Sequence, residues 1–138
     1  MKYAVRTHIA APPEKVWPLL VDGPGYPGWN PTVVKVEGDI ALGGKIKVFA
    51  AISPDRAFPV RVTRFDAPRR MEWTGGMPLG LFKGVRTFTL EPADGGTDFA
   101  MEEAFSGLMK PLIAKSMPDL QPAFDDFAAA LKARAEAT

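Results

Sequence analysis

The chain has 138 residues, of which 46% are hydrophobic and 24% charged, and its formal net charge is +1. That length can bury a real core without disulfides or metals, and a charge so near zero, with no block of like sign, gives no electrostatic case for nucleic acid or an anionic membrane surface. Cysteine is absent and His8 is the only histidine, which excludes disulfides, cysteine nucleophiles and multi-histidine metal clusters, and a Ser-His-Asp triad unless His8 itself serves.

Residues 3–9 alternate, with Tyr3, Val5, Thr7 and Ile9 on one side and Arg6 and His8 on the other. A period of two predicts a half-buried strand. Ala11-Pro12-Pro13-Glu14 then reads as a helix start, because the first turn has spare N–H groups and tolerates proline. Val16, Trp17, Leu19 and Leu20 give this helix its apolar face, and Pro18 inside it predicts a kinked or brief element.

The segment Asp22–Pro31, DGPGYPGWNP, is too rich in glycine and proline for regular structure. Tyr26 and Trp29 within it are expected to pin the connection against the rest of the protein. Strand-like runs follow at 32–37, 45–52, 58–65, 70–74, 82–91 and 97–106, separated by turn residues such as Gly43-Gly44, Ser53-Pro54-Asp55 and Ala93-Asp94-Gly95-Gly96. No helical stretch interrupts the second to seventh runs, so an antiparallel meander is expected.

The period then changes. Ile113, Met117, Leu120, Phe124, Phe127 and Leu131 recur at spacings of four and three, which places them on one helical face. Pro118 and Pro122 predict that the helix proper starts near one of them, or bends there. The order is α+β, and one sheet can bury one face only by curling around that last helix. A single unit over 1–138 is the expected organisation.

Several stretches then carry a resemblance. Ile9-Ala10-Ala11-Pro12-Pro13-Glu14-Lys15-Val16-Trp17, followed by Asp22, Tyr26 and Trp29-Asn30-Pro31, is similar to the opening of the polyketide cyclase/dehydrase branch of the SRPBCC superfamily. Trp73, the run Gly84 to Pro92, Gly96-Thr97 and the run Glu103 to Leu108 resemble its middle and end. The resemblance implies a helix-grip fold: a seven-stranded curved antiparallel sheet around a long C-terminal helix, with short helices between strands one and two and a ligand cavity between sheet and helix. It does not imply one activity, since the superfamily, which includes START lipid-transfer domains and a class of pollen allergens, holds carriers, binders and cyclases. The chain departs from the pattern at Arg86, where relatives often carry histidine, and at Pro118 and Pro122.

The most informative polar pair is Arg86 and Glu103. Phe88 and Leu90 must share a buried face with Phe99 and Met101, and alternation then fixes the parity of the hairpin register. A short turn over 93–96 pairs Leu90 with Phe99, Phe88 with Met101 and Arg86 with Glu103, leaving both charges inward and flanked by Phe82 and Phe105. A charge facing an apolar space must be paired. The pair is therefore either a ligand anchor or a structural cross-strand ion pair near the rim. Met71, Trp73, Phe88, Met101, Leu120 and Phe124 are the candidate apolar lining, and equally the candidate core. His8, Asp22 and Glu102 read as surface or turn residues.

The leading expectation is non-catalytic binding or transport of a small hydrophobic molecule such as a lipid, aromatic polyketide or isoprenoid. A polyketide cyclase or dehydratase using the same cavity is the second reading, and a protein-interaction module the third. Neither a cofactor nor a metal is expected, nor is nucleic acid a partner. With no basic leader into an apolar stretch, and no apolar run of about 18 residues, the expectation is a cytoplasmic protein without stable membrane insertion.

Overall fold

The computed structural model describes residues 2–137. Seven strands are formed: β1 (Lys2–Ile9), β2 (Val33–Glu37), β3 (Lys45–Ala50), β4 (Phe58–Asp66), β5 (Arg70–Met77), β6 (Phe82–Ala93) and β7 (Gly96–Ser106). They make one antiparallel sheet in the order β1-β7-β6-β5-β4-β3-β2. The chain therefore runs as a meander from β2 to β7, and β1 closes against β7 at the far edge.

Between the two edge strands lie α1 (Pro13–Val21) and a 3-10 turn, Tyr26–Gly28. Pro13 sits in the first turn of α1, where no N–H is missed, and Glu14 in the same turn complements the helix dipole. Pro18 removes a bond from within, and the helix stops after nine residues.

Two helices end the chain, α2 (Lys110–Ala114) and α3 (Gln121–Glu136). The prolines explain the division. Pro118 lies in the non-helical link, while Pro122 occupies the first turn of α3, where Asp119 Oδ1 also accepts the Gln121 N–H at 3.0 Å. The six-residue stripe is corrected accordingly: Phe124, Phe127 and Leu131 form the buried face of α3, whereas Ile113 belongs to α2 and Met117 to the link, both only half-buried.

The core lies between the inward face of the sheet and the two longer helices. Ile9, Val62, Met71, Phe88, Leu90, Phe99 and Met101 from the strands meet Val16, Leu20, Phe124, Phe127 and Leu131. α3 packs mainly across β1, and polar bonds fix that end. Lys132 Nζ donates to the His8 carbonyl at 2.6 Å, and the Ala10 N–H donates to Glu136 Oε2 at 2.8 Å. The Ala10 amide and then Lys132 hold the Glu136 carboxyl below its ordinary range.

The strands run slightly beyond their expected ends at β5 and β6. Gly75 explains part of this, since a Cβ there would sit 2.7 Å from Val60 Cγ1, and glycine lets β4 and β5 stay paired. β3 ends sooner, because residues 51–52 have already entered the turn.

Candidate functional site

The β6–β7 hairpin turns on Asp94-Gly95, both with positive φ (50° and 76°), the geometry that Asp-Gly turns favour. That two-residue turn fixes the register: Leu90 opposite Phe99, Phe88 opposite Met101 and Arg86 opposite Glu103. The neighbouring strands extend these pairs into rows. Tyr3 stands opposite Glu103, and Trp73 opposite Arg86, so one row across four strands reads Tyr3, Glu103, Arg86, Trp73.

Arg86 and Glu103 thus occupy the middle of an otherwise aromatic and apolar row. Arg86 Nε donates to Glu103 Oε1 at 2.6 Å, and the two side chains are 23% and 18% exposed. α3 lays Phe124 over them, with its ring centre 4.8 Å from the guanidinium carbon. A cation over an aromatic face gains electrostatic stabilisation that grows as water is excluded. Phe82 stacks on Phe105 at 5.6 Å beside the pair, and Tyr3 packs against both Phe105 and Phe124. Gly84 makes this possible, because a Cβ there would lie 3.1 Å from the Phe105 ring.

The ten candidate residues divide into two groups. Met71, Trp73, Phe88, Met101, Phe105 and Phe124 are buried, and four of them retain no more than 1% of their surface. A side chain lining a water-sized hollow would keep accessible area, so Met71, Phe88, Met101 and Phe124 here touch protein on every side. Phe82, Arg86, Glu103 and Leu120 are half-buried. Two shallow surface depressions lie elsewhere, one by Lys15, Leu19 and Arg134 and one by Pro12, Pro13 and the β6–β7 turn.

The deep layer is filled by residues outside the candidate set. Phe127 contacts Tyr26, Trp29, Phe88 and Phe99, while Trp73 packs edge-on against Phe88 at 4.9 Å. Tyr26 and Trp29 pin the 22–31 loop by packing on Phe127, as expected, and the Tyr26 hydroxyl also donates to the Leu20 carbonyl at 2.6 Å, tying the loop to the end of α1. Burial pushes this phenol well above its ordinary range, with a smaller opposing effect from Arg86. Two buried indole N–H groups, those of Trp29 and Trp73, have no acceptor among the described residues. Tyr3 is the site residue not picked out from the sequence, although its inward phase on β1 is a usable signal.

His8 lies on the outer face, bonded to Asp98 at 2.8 Å, in keeping with a surface role. Glu102 is also outward, paired with Lys2 at 3.2 Å, and Asp22 accepts the Gly25 N–H within its turn.

A curved antiparallel sheet closed by a C-terminal helix, with one ion pair on its inward face, defines a helix-grip protein. The chain belongs to the polyketide cyclase / dehydrase and lipid transport family, whose model matches residues 1–136. Solved structures similar to it include a protein from Chromobacterium violaceum (20% identity, TM-score 0.73, covering 99% of this chain and 98% of that one). A START superfamily protein from Mycobacterium smegmatis is similar too (16% identity, TM-score 0.71, 98% and 97%). So is DynU16, from the dynemicin biosynthetic locus, of which this chain covers 47% (17% identity, TM-score 0.73, 99% of this chain). At these identities the likeness is one of fold. Among curated proteins, none matches the chain. Among the described residues, no helix is long and apolar enough to cross a membrane.

Proposed function

We propose that the protein binds a small, mainly apolar molecule carrying an acceptor oxygen, held by Arg86 among the half-buried side chains around it. The observation that supports this reading is the guanidinium itself. Its Nε is committed to Glu103, and its terminal nitrogens, which have no hydrogen-bond partner among the described residues, are open to solvent and so free to take an acceptor. A carbonyl, carboxylate or phenolate would satisfy donors of this kind. Phe82, Phe105 and Leu120 supply the apolar surroundings.

Lipids, aromatic polyketides and isoprenoids with one oxygenated end fit this description, and the family description is compatible with a polyketide or a lipid. Binding is favoured over cyclase or dehydratase chemistry because, among the described residues, the row adds only one further ionisable group to the pair, the Tyr3 phenol. His8 faces outward, and the Tyr26 hydroxyl is engaged with Leu20. The test is displacement of a fluorescent apolar probe by matched acidic, carbonyl-bearing and hydrocarbon ligands. Arg86→Met keeps the apolar stem and removes the donors, so it should weaken the first two classes by roughly 10–100-fold and leave hydrocarbons unchanged. Equal affinities of wild type and variant for every class would end this reading.

A further inference from the structure

The end of the sheet opposite the β6–β7 turn carries exposed apolar side chains on two tips that touch. Residues 78–81 form the tight turn between β5 and β6, closed by the Leu81 N–H on the Pro78 carbonyl at 3.2 Å. The segment after β7 lies against it, with the Met109 N–H donating to the Leu81 carbonyl at 2.7 Å. On this joined surface Leu79 is 93% exposed, Leu108 83%, Leu112 62% and Met77 46%. Isolated exposed leucines are ordinary, but a contiguous group on one face marks an interaction surface.

The two segments themselves carry charge of one sign: residues 75–84 and 106–118 contain Lys83, Lys110 and Lys115 and no aspartate or glutamate, and Asp119 is the first carboxylate after them. The net charge of +1 conceals this, because a sum over the chain says nothing about distribution. The backbone adds an independent observation. Leu79 sits at the apex with φ 61°, in the left-handed region that glycine and asparagine tolerate and leucine avoids. The turn therefore holds a leucine fully into solvent in a conformation that disfavours leucine.

We propose that this end of the molecule docks on an anionic lipid surface, Leu79, Leu108 and Leu112 entering the interface and the three lysines meeting the headgroups. Exposed leucines beside lysines are the chemistry of interfacial anchoring. A projecting apex suits insertion into a deformable surface better than it suits a pocket. A second copy of the chain fits less well, since a two-fold contact through these two segments would bring both sets of lysines together. Docking is independent of the Arg86 reading, and its assay contains no added ligand.

Sedimentation of the purified protein with vesicles tests it, using phosphatidylcholine alone and phosphatidylcholine with about a third phosphatidylglycerol. Binding should require the anionic lipid and weaken between about 0.15 M and about 0.5 M salt. A lysine near an anionic surface contributes roughly fivefold in affinity, so Lys110→Gln with Lys115→Gln should cost roughly 25-fold. Leu79→Asn separates docking from folding: asparagine suits the turn, so the thermal melt should stay level or rise while vesicle binding falls. No binding to either vesicle, equal binding to both, or wild-type binding by Leu79→Asn would each overturn the proposal. So would concentration-dependent dimerisation abolished by Leu79→Asn, which would assign the face to a second copy.

Discussion

Arg86 and Glu103 are each other's main compensation for leaving water. With about a fifth of each side chain exposed, the pair sits between a solvated surface bridge and a dry internal one. Removing one charge and keeping the shape exposes that dependence. Glu103→Gln leaves the guanidinium under Phe124 with a neutral partner, and should lower stability by about 1–2 kcal/mol in a urea melt at neutral pH. A change within about 0.5 kcal/mol would place the pair among solvated bridges of little energetic weight. Gly84 matters at the same scale, because its missing side chain is what lets Phe105 lie across β6 beside the pair.

At the scale of elements, α3 closes the grip through Phe124, Phe127 and Leu131. Phe124→Ala should destabilise the protein by about 3–5 kcal/mol, read from thermal or denaturant unfolding, because its site is filled on every side and cannot readily collapse. An unchanged melt would remove α3 from the core. The strands were legible because each alternates, and the β6–β7 register was legible because two inward aromatic and aliphatic pairs and an Asp-Gly turn all demand the same alignment. The stripe from Ile113 to Leu131 misled in its first half. Spacing alone cannot see that Pro118 breaks the helix and that residues 115–120 swing Ile113 and Met117 off the face of Phe124. The interior between sheet and helix was not legible either. Whether inward apolar residues enclose a hollow or fill it depends on Tyr26, Trp29 and Phe127 meeting there, and the irregular 22–31 loop has no period from which to read that.

For the molecule as a whole, the 22–31 loop lies between strands at opposite edges of the sheet, and its Tyr26 phenol bonds it to the end of α1. The folded protein keeps the Tyr26 proton that an unfolded chain releases near pH 10. Proton release then favours unfolding, so stability present at neutral pH should fall as the pH climbs above about 10. Urea melts at about pH 8 and about pH 11 check this, and Tyr26→Phe should flatten the difference between them. The same bond turns one ring into a clock. After a jump to alkaline pH the phenolate absorbance of Tyr26 can grow only as fast as the loop lets go, so the rate of that spectral change times the opening of the molecule.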